Sequence, residues 1–454
     1  MSRRIRMASI LLLACGPLAL LVSAQMPPAQ NPMGAPSPAA GSQQQGQGVI
    51  SLTLQQAEAL ALKNNPQISV ARLNALVAQQ IVREQRSALL PTAVVNLTAV
   101  DANPGSRMSA GFLNNPVLFS RAAGGAMVSQ LVSDFGRTTN LLSSSKFQAK
   151  AEDQNAVATT ADVILVVDQF FYNSLETKAL VRVAEDTVKA RQTFVDQIRA
   201  LTDAKLKSDI DLSFAKVELA RAQLLLLESK NNYDTSLAML SAILGYPRKQ
   251  NFQLVEETSP LTPPSPDVGN LIQQAMDQRP EIKALQLDVQ AAQKFQNAER
   301  DLWMPSVSAL GVVGEAPVRD NHIPNWYGAV GVNVNIPVFN GFLFNAREKV
   351  ADTQTEVNRQ KLRDMQDNIA RDVQDAWQDS NRAYERLAVT QQLLEQANLA
   401  LHLGQARYTL GLGSIVEFTQ AVLQQTEADI ADTDAKYQYR LSLIVLAYMI
   451  AAPR

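Results

Sequence analysis

The sequence predicts an α+β membrane protein: long α-helical coiled coils gathered into a barrel, joined to a transmembrane β-barrel shared between subunits, with four strands from each chain. Three observations carry this reading. The chain is written twice, as a tandem pseudo-repeat. Each copy holds a stretch almost empty of glycine and proline, long enough for a rod. Short runs with two-residue alternation precede those rods, behind a leader that exports the chain.

The leader comes first. Arg3, Arg4 and Arg6 precede an apolar run from Met7 to Val22, which ends in Val22-Ser23-Ala24. A basic start, a short apolar stretch and small residues at the cleavage site describe a secretory signal peptide over residues 1–24. A membrane anchor would need to span a hydrocarbon core of ~30 Å, and the run is short for that. Leu12-Leu13-Ala14-Cys15 resembles a lipobox, which makes Cys15 a lipidation candidate, but the apolar run continues past it and favours cleavage after Ala24. Residues 25–50 are rich in Pro, Gln, Gly and Ala and carry no charge, the composition of a flexible leader.

Composition excludes several classes. A net charge of -2 gives no basic surface for nucleic acid. His322 and His402 are the two histidines and Cys15 the one cysteine, so a metal site would rest on carboxylates and an intrachain disulfide is impossible. No phosphate-binding G-x-x-x-x-G-K-[ST] run occurs, and no Ser/His/Asp or Cys/His set is available. Glu185, Asp186, Asp203, Asp209 and Asp211 read as solvated charges on a helical rod. The expectation is a protein without cofactor or catalytic site.

The duplication spans residues 51–247 and 269–452, with a linker over 248–268. Pro66 pairs with Pro280 and Pro91 with Pro305 at one common offset. VSDFGR (132–137) pairs with VFNGFL (338–343), and LKSDIDL (206–212) with LGSIVEF (412–418), at a second, shorter offset. The change of offset implies a longer first-copy loop between Pro91 and Val132. Each copy is expected to run helix, strand pair (91–133 and 305–338), then long helix pair (136–245 and 341–450).

From Arg137 to Leu244 there is neither Gly nor Pro, and Gly245-Tyr246-Pro247 supplies a stop. A helix of ~65 residues from Arg137 rises ~100 Å, more than a compact domain needs. Leu212, Ala215, Leu219, Ala222 and Leu226 step by three and four, as do Ile369, Val373, Ala376, Ser380, Ala383, Leu387, Thr390 and Leu394. These are heptad seams, and their small residues permit close helix packing.

In the strands, Val330, Val332, Val334 and Ile336 alternate with Gly331, Asn333 and Asn335. Ala93, Val95, Leu97 and Ala99 oppose Thr92, Asn96 and Thr98. Alternation alone fits either a membrane barrel or a sheet packed on helices. The signal peptide and the want of any apolar stretch of spanning length favour the barrel. Trp303, Trp326 and Tyr327 near strand ends suit an aromatic girdle. Four strands are too few to close, so further chains must complete the sheet: three copies would bring about twelve strands, although two or four would also close it.

These residues resemble the outer-membrane efflux proteins of the TolC family over nearly all of residues 51–451. The likeness rests on LTLQQAEALALKNNPQI, LLPTAVVNL, DFGR, QRPEI, MPSVSALG, IPVFNG, RYTLGLGSIVEF and YQYRLSLIVLAYMI. It implies a homotrimeric channel in outer-membrane lipid, continued by a helical tunnel through the periplasm. Such a channel takes drugs, metals, toxins or proteins from an inner-membrane pump through a periplasmic adaptor, the membrane fusion protein. The turns between the long helices would form the periplasmic tip, at 200–208 and 410–414. The resemblance assigns adaptor docking to Tyr408, Leu410, Gly411, Leu412 and Gly413, and in the first copy to Ala204, Lys205 and Leu206, where Lys205 stands in place of the usual glycine. It places Asp211 and Glu417 at the narrow aperture, with a neutral Gln420 one turn on. Ser414 suits an N-cap for the helix that follows. The rival readings are a periplasmic coiled-coil adaptor and a structural coiled coil without a pore.

Overall fold

The computed structural model describes residues 50–103, 120–256, 260–317, 322 and 324–452. The signal peptide, Cys15 and all but the last residue of the leader lie outside the described residues. Strand β1 (Ile50–Leu52) leads to helices α1 (Leu54–Asn64) and α2 (Pro66–Ser87), strands β2 (Thr92–Val100) and β3 (Arg121–Ser133), and the long helices α3 (Arg137–Asp203) and α4 (Asp209–Ile243). The second copy opens with β4 (Phe252–Leu254), followed by α5 (Val268–Gln278) and α6 (Pro280–Arg300). It continues through β5 (Ser306–Glu315), β6 (Trp326–Asn335), α7 (Leu343–Thr409) and α8 (Ile415–Met449).

Three features depart from the expected order. Each copy begins with two helices rather than one, because proline starts a second helix instead of ending the first. Pro66 and Pro280 occupy first helical positions, where the missing N–H costs nothing. Asn65 caps the restart by accepting from the Gln67 amide at 2.8 Å. Secondly, the linker holds a strand: β4 pairs in parallel with β1, Ile50 opposite Phe252 and Leu52 opposite Leu254. Thirdly, β6 ends at Asn335, so Ile336 lies beyond it; Pro337 cannot donate to a ladder and marks the stop.

The main sheet is antiparallel throughout, in the order β2-β3-β5-β6. Its register joins the two alternations. Val95 stands opposite Ala126, Ala126 opposite Val313, and Val313 opposite Gly328. One face therefore carries Ala93, Val95, Leu97, Val128, Val307, Val330, Val332 and Val334, directly opposed residues sharing a face. Val330 is 92% exposed and Leu97 84% in the single chain. The other face carries Thr92, Asn96, Ser129, Ser306, Ser308, Asn333 and Asn335, mixed with Val94, Met127, Leu310 and Val312. Trp326 lies on the apolar face, but Tyr327 lies on the polar one. Its hydroxyl covers the paired Gly125 and Gly314, where a Cβ would stand 2.6 Å from it, so it fills a glycine trough instead of joining a girdle.

Each of the helices α3 and α7 has 67 residues, a rise of ~100 Å. Helix α4 folds back on α3, and α8 on α7. Ala215, Ala222, Ser229 and Ser236 are buried at seven-residue intervals on α4. Thr177 meets Ser236 at 3.0 Å across that seam, and Ser380 donates to the Ser442 carbonyl at 3.1 Å in the other hairpin. Nearer the sheet, α2, α3, α6 and α7 pack side by side in that order. Helix α1 and the β1–β4 pair form a second layer, whose core joins Leu52, Ala57 and Ala61 to Val163, Val167 and Phe171 of α3. No helix among the described residues is long and apolar enough to cross a membrane.

The two hairpins meet where α3 crosses α8, and there the carboxyl groups of Glu176 and Asp434 face each other. Arg386 binds Asp434 at 2.8 Å and Gln438 donates to it at 2.7 Å. Burial and this neighbour push Glu176 up from the usual carboxylate range to about 7. A raised folded-state pKa favours the fold below the unfolded value of 4.5 and loses that contribution as pH rises to about 7. Denaturant unfolding followed by circular dichroism should show stability falling across that window. Glu176→Gln should flatten the fall and raise stability at pH 8; an unchanged pH profile in the variant would contradict Glu176 as the titrating group.

Candidate functional site

The far ends of the two hairpins carry the sequence-predicted site, and each turn is built from the same local bonds. In the first copy the Lys205 amide donates to Thr202 and the Leu206 amide to Leu201, each at 2.8 Å. In the second, Gly411 donates to Tyr408 at 3.2 Å and Leu412 to Arg407 at 2.8 Å. This paired closure of a helix end requires a left-handed residue after the cap. Gly411 supplies it at φ 72° and Lys205 at φ 59°, the latter against the Cβ crowding that makes the region costly for side chains. Both chains then restart on a serine. Ser208 accepts from the Asp211 amide at 3.3 Å, and Ser414 from the Glu417 amide at 3.1 Å.

Tyr408 is the buried centre of the tip, 4% exposed. Its ring stacks on Phe418 at 5.7 Å and lies 6.1 Å from Phe194 of α3. Val195, Ile198, Ala215, Ile415 and Val422 complete this cluster, which holds the two turns together. Lys207, from the first-copy turn, places its ammonium 3.9 Å from the Tyr408 ring centre. It also reaches the Tyr408 carbonyl at 3.4 Å. Burial, with the neighbouring Asp211 carboxylate, pushes the Tyr408 phenol up to about 12.

The remaining predicted residues separate by exposure and pairing. Leu206, Leu410 and Leu412 are exposed apolar side chains at the extreme end, beside exposed Ala204, Lys205 and Gly411. A Cβ on Gly411 would meet nothing within 4 Å, which leaves that backbone approachable. Gly413 is different: a Cβ there would stand 3.1 Å from the Glu417 carboxylate and 3.3 Å from Arg407. The carboxylates expected at an aperture have partners inside this subunit. Asp211 accepts from the Ser208 amide at 3.2 Å and hydroxyl at 2.9 Å, closing a capping box. Glu417 pairs with Arg407 at 3.1 Å, and Arg407 also donates to the Leu412 carbonyl at 3.2 Å. Gln420 is exposed. Sequence reasoning missed Phe194, Arg407 and the clamp made by Lys207. Phe194 lies more than two hundred residues from its partners, and no local pattern announces such a contact. Among the described residues no group of three or more His, Cys, Asp or Glu side chains is placed to hold a metal ion.

The family profile described as outer membrane efflux protein matches residues 59–246 and 271–452, one match on each copy. The chain is 24% identical over 421 residues to the probable efflux pump outer membrane protein TtgC of Pseudomonas putida, spanning 88% of this chain and 83% of that protein. It is 24% identical to outer membrane protein OprJ of Pseudomonas aeruginosa, over 88% of this chain and 84% of the relative. Among solved structures, a membrane protein from Pseudomonas aeruginosa superposes with a TM-score of 0.75 at 20% identity, covering 87% of this chain and 93% of the other. The outer membrane protein VceC of Vibrio cholerae gives 0.73 at 17% identity, covering 87% and 95%.

The two turns give a direct test of backbone strain. Lys205→Gly should stabilise the first turn by about 1 kcal/mol, since glycine adopts its φ freely. Hydrogen exchange of the amides at 204–206 should slow by about fivefold in that variant, and an unaltered rate would remove the strain argument. Gly413→Ala should act oppositely, displacing Arg407 from Glu417 and speeding exchange in the second turn.

Proposed function

This chain belongs to the outer membrane efflux protein family, and we propose that it works as a homotrimeric conduit whose helical tip receives a periplasmic adaptor. As a member of that family it is an outer-membrane efflux channel with a periplasmic tunnel, and it serves an inner-membrane pump. The proposal concerns how the channel is completed and where the partner sits.

The observation that supports the ring is a coincidence of edges. In the sheet, β2 and β6 each have one unpartnered side. In the helical layer beneath, α2 and α7 are the outer members. Helix α2 exposes Val70, Leu73, Val77 and Ile81 on one side, and α7 exposes Leu343, Val350 and Val357 at seven-residue intervals. Ile81 lies six residues before the end of α2, and Val350 seven after the start of α7, so both stand at about the same depth below the sheet. An α2/β2 edge of one copy against the α7/β6 edge of the next is a head-to-tail contact, and such contacts close into rings. Three copies bring about twelve strands and leave a lumen. The apolar sheet face would then meet outer-membrane lipid, and the Asn, Ser and Thr face would meet water.

At the tip, Leu206, Leu410 and Leu412 offer the apolar contact for an adaptor, and Gly411 the close backbone approach. Tyr408 positions these residues from beneath. Asp211 and Glu417 would line the aperture only once released from their present partners.

Two measurements bear on this reading. Ile81→Cys with Val350→Cys should form oxidative crosslinks between copies in the outer-membrane fraction, in a ladder that ends at three. A ladder ending at another number would overturn the trimer, and crosslinks confined within one copy would overturn the ring. Gly411→Asp should abolish adaptor crosslinking and efflux while leaving the crosslinked trimer intact.

A further inference from the structure

A groove of about 460 Å³ opens between α2 and α3 just below the sheet, floored by Val82 and Phe147 and edged by Arg83, Lys146 and Lys150. Lys150 lies 5.6 Å from the Phe147 ring centre, and Arg83 donates to Gln80 at 3.2 Å. The one carboxylate in the groove, Asp153, is engaged by Gln79 at 3.4 Å. None of the three cations forms an ion pair among the described residues.

The second copy shows that the fold does not require this charge. At the positions related by the repeat, Lys146 and Lys150 become Asp352 and Glu356. There Arg300 pairs with Glu348 at 3.2 Å and with Asp352 at 3.3 Å, and Arg359 with Glu356 at 3.3 Å. One copy has a neutralised surface, and the other an open basic groove with an apolar floor.

Its place in the fold selects the ligand. Ser143, Lys146, Lys150, Asp153, Val157, Thr160, Ile164, Val167 and Phe171 follow one heptad line along α3. That line runs under α1 at Val167 and Phe171. In an open conduit the second layer containing α1 must lie outside the wall, so the groove is on the outside as well. Lys146 and Lys150 lie about 14 and 20 Å along α3 from its start at the sheet, and side chains on a helix lean towards its N-terminus, here towards the membrane. At the junction above, Phe135, Phe339 and Phe342 are exposed, aromatic side chains such as border the apolar band of a membrane barrel.

We propose that this groove binds the phosphodiester headgroup of a bilayer lipid from the periplasmic leaflet of the outer membrane, the phosphate on Arg83, Lys146 and Lys150 and the glycerol end over Phe147. The assignment rests on the outer-membrane channel reading. Three cations around an apolar floor match an anionic amphiphile, and long basic stems reach up from below the bilayer edge to a phosphate.

The test uses full-length protein purified from the outer-membrane fraction. A photoactivatable phosphatidylglycerol should label peptides containing residues 143–153, and the double variant Lys146→Gln, Lys150→Gln should retain at least fivefold less phosphatidylglycerol in native mass spectrometry. Glu356→Gln, in the other copy, should leave retention unchanged. Labelling elsewhere, equal retention by the double variant, or displacement by inorganic phosphate as effective as by added lipid would each overturn the site. Should the double variant fail to assemble, the labelling position on the native chain decides. A chain absent from the outer-membrane fraction would overturn the channel reading and this one together, before any lipid is measured.

Discussion

A strand edge cannot be left open in hydrocarbon, because each unpaired N–H and C=O there costs several kcal/mol. The sheet described above has two such edges, on β2 and β6. The helices continuing from the sheet carry their unpartnered apolar stripes on the same two flanks, α2 and α7. In the ring proposed above, one contact between neighbouring copies would satisfy the backbone edges in lipid and bury both apolar stripes. Neither gain is available to the single chain.

The duplication preserves backbone geometry more faithfully than sequence. Four pairs of repeat-related positions take a positive φ in both copies, and in each pair one copy has glycine and the other a side chain. They are Phe135 with Gly341, Gly136 with Phe342, Lys205 with Gly411, and Gly245 with Ala451. A residue without Cβ is the cheaper choice at every one, by about 1 kcal/mol. The penalty is small enough for the flanking helices to absorb, so sequence drifts while the turn stays. This matters most at Lys205, where an exposed charge stands at a turn whose counterpart, Gly411, carries no side chain.

Much of this was legible before any coordinates. Continuous helix from Arg137 to Asp203 follows from a stretch in which nothing interrupts the hydrogen-bond ladder, and its end is marked where Lys205 takes positive φ. The two-residue alternation placed Val95 and Val332 each on an apolar side, and the register put both on one face of one sheet. Where the reading failed, the cause was long range or a residue with two uses. One helix is expected before each strand pair, yet Pro66 and Pro280, at first helical positions, begin a second. The β1–β4 pair joins segments two hundred residues apart, each only three residues long. At the tip, the glycines of RYTLGLGSIVEF announced a reversal. The Tyr408 cluster and the Arg407–Glu417 pair did not show, because they arise when separate turns meet or when a helix folds back on itself.

Local and assembled order divide along the length of the rod. The start of each long helix is set by bonds within a few residues. Asp134 accepts from the Thr138 amide at 2.8 Å and Asn340 from the Phe344 amide at 3.4 Å at the sheet end, and Ser208 and Ser414 act likewise at the tip. The seams between rods are made of small residues at heptad spacing, which fix close approach but offer little apolar area to hold one register. Register must then come from specific side chains: Thr177 on Ser236, Ser380 on Ser442, Arg191 on the Val422 carbonyl, and the aromatic cluster at the tip. The position of one hairpin against the next rests on the Arg191 contact and on the aromatic cluster, which lies directly behind the exposed turns.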